Sequence, residues 1–181
     1  MKKYILLLCF TALLASCSTG KLSKSDALSE SETIILGEIK ILSEGKDVTK
    51  NAKIYFDENE KGVLSYKLSE DGLLVMKLPK GNHFVKYIYT PYGSINLPIG
   101  YANIAVPEAG KSYYIGTIVI DAQGKLRKKS RGIIYDTDPK GLKEEKAEIT
   151  VTDAPDAATK AYHDEFGADK KIEKALMTVT E

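Results

Sequence analysis

Short runs rich in β-branched and aromatic residues recur about every ten residues after residue 32. They read TIILGEIKIL, AKIYFD, GVLSYKL, LLVMKLP, HFVKYIYT, INLPIGYANIAV and SYYIGTIVID, with polar turn residues between them. In the middle runs apolar residues alternate with others, as where Ile54 and Phe56 flank Tyr55. Because successive side chains of a strand point to opposite sides of a sheet, this pattern predicts a mainly β protein. About seven such runs predict an antiparallel β-sandwich of two sheets.

Motifs within these runs resemble those of transthyretin-like, or carboxypeptidase-regulatory-like, modules. The resemblance spans roughly residues 36–120. The residues that carry it are Val48, Ala52, Ile54, Asp71, Gly72, Leu78, Pro79 and Gly81. It implies a seven-stranded transthyretin-like (prealbumin-like) sandwich. It implies no particular function, because such modules serve as carriers, adhesins, sugar-binding domains and spacers.

The amino-terminal segment MKKYILLLCFTALLASCS has the layout of a secretory signal peptide. Lys2 and Lys3 precede an apolar run from Tyr4 to Leu14, and small residues follow. This run is much shorter than the roughly 20 residues that a membrane-spanning helix needs. We therefore predict that residues 1–16 direct export and are then removed.

The tetrapeptide Leu14-Ala15-Ser16-Cys17 resembles the lipobox of bacterial lipoproteins. The resemblance implies a diacylglyceryl thioether on the Cys17 thiol and an acyl chain, such as palmitate, on its freed amine. Two or three acyl chains anchor a protein durably, whereas one holds it only marginally. Ser18 favours the outer membrane if the bacterium has two membranes. The alternative is an ordinary signal peptide cut after Cys17 or Ser18.

Composition supports a single anchored domain with no nucleic-acid role. Residues 17–32 are polar and serine-rich and predict a flexible tether, and residues 33–121 are assigned to the sandwich. The chain has 26 basic and 25 acidic residues. This balance argues against nucleic acid as a partner and against purely electrostatic membrane binding.

Residues 122–181 predict a basic hairpin and a helical extension packed on the sandwich. A strand is expected in AEITVTD, followed by a helix with Asp153 as its N-cap and Gly167 as its stop. Apolar residues recur every four positions in this helix, at Ala158, Tyr162 and Phe166, and form one face. A second short helix is expected around Ile172 and Leu176. The alternative role of these helices is to bind a partner.

Catalytic, metal and cofactor sites are not predicted. The segment after Asp57 begins like a calcium loop, but Lys61 occupies a position that needs an oxygen ligand, so a hairpin turn is the better interpretation. The two histidines, His83 and His163, are isolated in the sequence and make a poor zinc site. No G-x-S-x-G motif of a serine hydrolase occurs. The sequence therefore predicts a non-enzymatic protein.

Two surfaces are candidate partner sites. One is a basic cluster formed by Lys125, Arg127, Lys128, Lys129 and Arg131, which is either an anion-binding patch or a solvated hairpin tip. The other is the tyrosine-rich later strands, with Tyr87 and Tyr89 as the chosen residues. Their rings could stack on sugars, or they could belong to an ordinary half-buried sheet.

The sequence thus predicts a membrane-anchored envelope lipoprotein that acts as an interaction or scaffolding module. Its partners would be the membrane, through the lipid on Cys17, and an envelope protein or glycan. The alternative is a carbohydrate- or peptidoglycan-binding module that uses the tyrosine-rich strands.

Overall fold

The computed structural model describes residues 32–58, 62–124, 126, 147–167 and 171–180. The predicted signal peptide, Cys17 and the tether up to residue 31 lie outside them, as does the basic cluster Lys125, Arg127, Lys128, Lys129 and Arg131. The described elements are β1 (Glu32–Ser43), β2 (Lys46–Asp47), β3 (Lys53–Glu58), β4 (Gly62–Lys67), β5 (Leu73–Pro79), β6 (Gly81–Thr90), β7 (Gly93–Asn96), β8 (Ala102–Val106), β9 (Ser112–Ala122), β10 (Glu148–Thr152), α1 (Asp156–Phe166), β11 (Ile172–Lys174) and β12 (Thr178–Val179).

The first sheet is built around the two long strands β1 and β9, which run parallel to each other. The other edge of β1 pairs antiparallel with β5 and with the short strand β2. The far edge of β9 pairs antiparallel with β10 and parallel with β11. Two of these pairs thus depart from the antiparallel arrangement that the sequence predicts. A parallel pair needs a long connection, and the strands of the second sheet provide it between β1 and β9.

The second sheet has the order β4, β3, β6, and the far edge of β6 is shared by β7 and β8. β12 extends this sheet beyond β8, and the pairs within it are antiparallel. The run INLPIGYANIAV forms two strands because a turn closed by the Tyr101 N–H and the Pro98 carbonyl interrupts it. The described residues form twelve strands, whereas the sequence suggests seven. The difference arises because some predicted runs form two strands and because short strands such as β2, β11 and β12 are added.

The hydrophobic core lies between the two sheets, so the chain forms a mainly β sandwich as predicted. In β3 and β5 buried residues at alternate positions face inward, and this confirms the faces that the sequence pattern assigns there. The core includes Ile35, Ile39 and Ile41 of β1, Ile54 and Phe56 of β3, Leu74, Met76 and Leu78 of β5, and Ile115, Ile118 and Ile120 of β9. Burial of this apolar surface is the main stabilising term, at roughly 25 cal/mol per Å².

The Asp71-Gly72 turn links the two sheets, although an Asp-Gly pair between two strands is typical of a hairpin. β4 pairs with β3, and β5 pairs with β1. Gly72 has a φ of +80°, and a Cβ on it would lie 2.2 Å from the Ile39 carbonyl oxygen. Its own carbonyl accepts a 2.8 Å hydrogen bond from the Ile39 N–H. Only glycine fits this backbone conformation and this close approach.

α1 packs on the outer side of the first sheet. The predicted apolar face is confirmed, since Ala158 and Tyr162 are buried and Phe166 packs beside them against β1, β5 and β9. Gly167 ends the helix as predicted, and its N–H donates to the His163 carbonyl. The predicted N-cap is wrong: Pro155 occupies that position. Asp153 instead forms an ion pair with Lys174.

Residues 171–180, here called the C-terminal strap, connect the edges of the two sheets. The helix expected around Ile172 and Leu176 is wrong, because β11 adds to β9 and its backbone gains sheet hydrogen bonds there. Met177 then enters the core and donates its N–H to the Ile115 carbonyl at 2.8 Å. β12 pairs with β8, so the strap crosses from the first sheet to the second. Docking onto an open sheet edge overrides the weak local helix preference.

Candidate functional site

The outer faces of the two sheets differ in what covers them. On the first sheet, Ile34, Leu36 and Tyr114 are buried beneath α1. On the second sheet, no described helix or strand packs on the outer face, since every described strand lies within one of the two sheets. The outer face of the second sheet is therefore the candidate binding surface among the described residues.

Strand register arranges eight residues of this surface in two adjacent rows. One row is Ser65, Tyr55, Tyr87 and Asn96, and the other is Lys67, Lys53, Tyr89 and Ser94, each taken in order across β4, β3, β6 and β7. The row between them, Tyr66, Ile54, Ile88 and Ile95, is buried in the core. Because side chains alternate along a strand, the two outer rows share one face. We call these eight residues the tyrosine face.

The size of the tyrosine face follows from sheet geometry. Neighbouring strands lie about 4.8 Å apart, so its four strands span about 14 Å. Residues two apart along a strand are separated by about 7 Å, which is the distance between the two rows. The face is thus a shallow, nearly flat surface rather than a pocket.

Two of the three tyrosines are in ring contact, and the third, Tyr89, lies two residues from Tyr87 on β6. The rings of Tyr55 and Tyr87 meet edge to face, with centroids 5.4 Å apart and planes at 61°. Tyr89 is 45% exposed and lies directly across from Lys53. Partial burial, followed by the neighbouring Tyr87 and Tyr89 hydroxyls, raises the pKa of the Tyr55 hydroxyl above its ordinary value. At neutral pH this hydroxyl is therefore protonated and able to donate a hydrogen bond.

A β-bulge in β6 sets the orientation of this group. The pairing of β3 with β6 shifts between Tyr55 and Phe56, so that Tyr55 lies opposite Tyr87 and Phe56 opposite Val85. Lys86 is the extra residue, and its carbonyl accepts the Leu97 N–H at 2.9 Å. Without this shift Tyr87 and Val85 would lie on the same side of β6. Bulges commonly redirect side chains in this way.

Two lysines add positive charge to the tyrosine face. Lys53 and Lys67 lie directly opposite each other on the antiparallel strands β3 and β4. Among the residues whose side chains the structure describes, no carboxylate lies within 4.0 Å of either amine. Lys67 also interacts with Glu70, since the pKa of the Glu70 carboxyl is lowered mainly by its hydrogen bond to Lys50 and more weakly by Lys67. Like charges placed opposite each other destabilise a sheet slightly.

The structure brings together Tyr87 and Tyr89, the two tyrosines that the sequence singles out. It adds Tyr55, Lys53 and Lys67, which sequence reasoning missed as site residues. The alternation in β3 does assign Lys53 and Tyr55 to the outward side, but only the pairing of β3 with β6 places them beside Tyr87.

The other tyrosines of the later strands do not belong to this face. Tyr113 and Tyr114 are buried, and the Tyr101 hydroxyl donates to the Ala147 carbonyl at 2.8 Å. Tyr92 is 56% exposed in the turn between β6 and β7. For Tyr101, Tyr113 and Tyr114 the interpretation as ordinary sheet residues applies.

His83 and the core cavity have structural explanations. His83 is buried, and its Nε2 donates to the Pro79 carbonyl at 2.8 Å. Within the described ranges, histidine, cysteine and acidic side chains form no group of three or more that could hold a metal ion. A cavity of about 10 Å³ between the sheets is lined by apolar side chains including Ile54, Phe56 and Ile118. It is no larger than one water molecule needs and is a packing gap.

Compared with protein-family models, with curated proteins and with solved structures, the chain matches none of them. Among the residues that the structure describes, no helix has the length and hydropathy required to cross a membrane.

Proposed function

We propose that this chain is a lipid-anchored, non-enzymatic interaction module of the bacterial cell envelope. The lipobox-like sequence ending at Cys17 supports the anchor, and Ser18 supports the outer membrane as the location where two membranes exist. The motif order over residues 36–120 supports a transthyretin-like origin of the sandwich.

One observation carries the choice of interaction surface. α1 covers the outer side of the first sheet, whereas the tyrosine face on the second sheet has no cover among the described elements. The tyrosine face has three tyrosines on the neighbouring strands β3 and β6. Aromatic side chains provide large contact areas at low conformational cost, which suits them to recognition.

A carbohydrate ligand is favoured for this surface over a folded protein partner. Stable protein interfaces use about 20–30 residues on each side, and the tyrosine face has eight. A flat strip about 14 Å long instead fits a few sugar rings lying across the tyrosines. Hydroxyl, amide and amine groups around the rings supply the polar contacts that sugar hydroxyls require.

The proposed surface is tested by photo-crosslinking in the native host. Benzoyl-phenylalanine replaces Tyr87 or Tyr89, and a control probe replaces Lys40, which is exposed on the first sheet. We expect crosslinks to glycan at Tyr87 and Tyr89 but not at Lys40. One dominant protein adduct would make the chain an accessory subunit, and equal labelling at all three positions would contradict the choice of face.

The proposed anchor is tested separately by metabolic labelling with an alkyne analogue of palmitate. We expect the wild-type chain to incorporate the label and Cys17→Ala to lose it. Label retained in Cys17→Ala would contradict lipidation at that thiol, and an unlabelled wild-type chain would favour the ordinary signal peptide.

A further inference from the structure

We propose that the tyrosine face binds a polymeric glycan that lies beyond the module and is not attached to the membrane that anchors it. The proposed tether enters the fold at one end of the sandwich, whereas the tyrosine face lies towards the opposite end. This inference rests on the lipid anchor and the carbohydrate-binding function proposed above, and it specifies where the ligand is located.

The tether leads into the start of β1, and hydrogen bonds fix this point to the rest of the fold. The first residue of β1 pairs with Pro79, the last residue of β5. The Thr33 hydroxyl donates to the Glu108 carbonyl at 3.0 Å, and the Ile34 N–H donates to the Lys111 carbonyl at 3.0 Å. We call this end of the sandwich, formed by the start of β1, the end of β5 and the loop before β9, the anchor end.

The tyrosine face lies towards the other end of the second sheet. β6 starts at the anchor end, because Gly81 follows β5 after a single residue, and Tyr89 comes just before its last residue. A strand rises about 3.3 Å per residue, so Tyr89 lies roughly 25 Å from Gly81 along β6. Pairing of β3 with β6 places Lys53 beside Tyr89 and Tyr55 beside Tyr87. The tyrosine face is therefore most of a strand length away from the point where the tether begins.

The reach of the tether keeps the anchor end near the membrane but not the tyrosine face. Residues 17–31 are predicted to be a flexible chain, and such a chain spans about 5–6 Å times the square root of its number of residues, or roughly 20 Å. The face lies roughly 25 Å farther along β6. An upright or moderately tilted module therefore holds the face beyond the membrane surface, where a separate polymer reaches it.

A module lying flat on its second sheet would bring the tyrosine face to the membrane, but this sheet is poorly suited to lipid. Interfacial binding strengthens with the apolar area that is buried among the headgroups. The outer side of the second sheet carries polar residues around its tyrosines, namely Ser65, Ser94, Asn96 and the exposed Asn82. Segments that bind anionic lipid surfaces commonly cluster about 4–8 basic residues, and the tyrosine face has two lysines. A hydrated glycan suits this surface better.

The shape of the tyrosine face favours an internal stretch of a glycan chain over a small sugar. Small ligands are commonly held in concave sites that bury most of their surface. The tyrosine face is instead a nearly flat strip on which no described element packs. The rings of Tyr55 and Tyr87 already contact each other, so little side-chain ordering opposes binding. Modest contacts of this kind suit a polymer, because several anchored copies bind it at once.

The orientation is tested with the lipidated full-length protein in lipid vesicles. Lys80→Cys places a dye at the anchor end, and Tyr92→Cys places it in the exposed turn after β6, outside the tyrosine face. Energy transfer from each dye to an acceptor-labelled lipid is then measured. We expect stronger transfer from Lys80→Cys than from Tyr92→Cys. Equal transfer from both, or stronger transfer from Tyr92→Cys, would overturn the proposal.

The location of the ligand is tested by sedimenting the same vesicles with insoluble peptidoglycan or chitin. Vesicles carrying the wild-type protein should sediment with the polymer, and deletion of residues 21–28 from the tether should leave this unchanged. Tyr87→Ala and Tyr89→Ala should each weaken binding about fivefold, as expected for loss of one aromatic contact. The matched control Tyr92→Ala should have no effect. Thermal unfolding verifies that each variant is folded.

The outcomes distinguish this inference from the function on which it rests. Binding that is lost when the tether is shortened would show that the face does not point away from the membrane, and would overturn the inference. Polymer binding by the full-length protein in mild detergent, but not in vesicles, would overturn the location and leave a carbohydrate module. Binding of neither polymer in either form would overturn both the inference and the carbohydrate function.

Discussion

Two adjacent tyrosines of β9 should respond in opposite ways to loss of their hydroxyl groups. Tyr113 and Tyr114 are 2% and 1% exposed and point to opposite sides of the first sheet. Within the described structure the Tyr113 hydroxyl has no hydrogen-bond partner. The Tyr114 hydroxyl accepts the Ala154 N–H at 3.2 Å and lies 3.1 Å from the Thr117 hydroxyl.

The expected magnitudes follow from these contacts. A buried hydroxyl without a partner costs about 1–3 kcal/mol. Tyr113→Phe removes that cost and gives up only the packing contacts of the hydroxyl oxygen. We therefore expect it to stabilise the fold by about 1 kcal/mol. Tyr114→Phe removes the hydrogen bonds of this hydroxyl and leaves the Ala154 N–H unpaired, so we expect a loss of about 2 kcal/mol. For a chain of this length these values correspond to a rise of about 2–4 °C and a fall of about 4–8 °C in Tm.

The assay is urea unfolding followed by far-ultraviolet circular dichroism, because the chain contains no tryptophan for fluorescence. We expect the midpoint to move up for Tyr113→Phe and down for Tyr114→Phe at an unchanged slope. A lower midpoint for Tyr113→Phe would refute the reasoning and indicate a buried water or another partner at its hydroxyl.

Four further substitutions, one of them a control, test the fold. Gly72→Ala should lower the free energy of unfolding by roughly 3 kcal/mol or more, because its Cβ meets the backbone of β1. Gly110→Ala, with a similar φ but open space, should cost only about 1–2 kcal/mol, and equal losses in denaturant titrations would refute the clash. Met177→Ala should cost about 2–5 kcal/mol by emptying a core position, and a loss below that range would show that the strap contributes little. The hydrogen bond from Lys111 lowers the pKa of the Glu173 carboxyl, so its stabilising effect is present above pH 4.5 and is lost as pH falls through the lowered pKa. Glu173→Gln should therefore reduce Tm at pH 7 but not in strong acid, and a Tm difference independent of pH would contradict this.

The sequence was sufficient to identify the main strands, and in β3 and β5 their buried sides, because both depend on local patterns. In β5, the inward residues Leu74, Met76 and Leu78 follow directly from a period of two. Strand partners do not follow in this way. The parallel pairing of Ile35 with Tyr113 joins residues far apart in the chain, and no local pattern specifies its direction.

The candidate site shows the same limit. Tyr87 and Tyr89 could be chosen from composition, but their neighbours could not, because Tyr55 and Lys53 reach them only through the pairing of β3 with β6. The wrong prediction of a helix around Ile172 has the same origin. Its local sequence is compatible with a helix, but the free edge of β9 supplies hydrogen bonds that no local propensity includes.

The position of the C-terminal strap has a consequence for the timing of folding. β1 is made first, but its partner β9 is synthesised about 80 residues later. The core is completed only when Met177, which follows β9 and α1 in the chain, reaches its place between the sheets. Contacts between residues this far apart in sequence form slowly. The first sheet therefore closes only after the strands of the second sheet, apart from β12, have been synthesised.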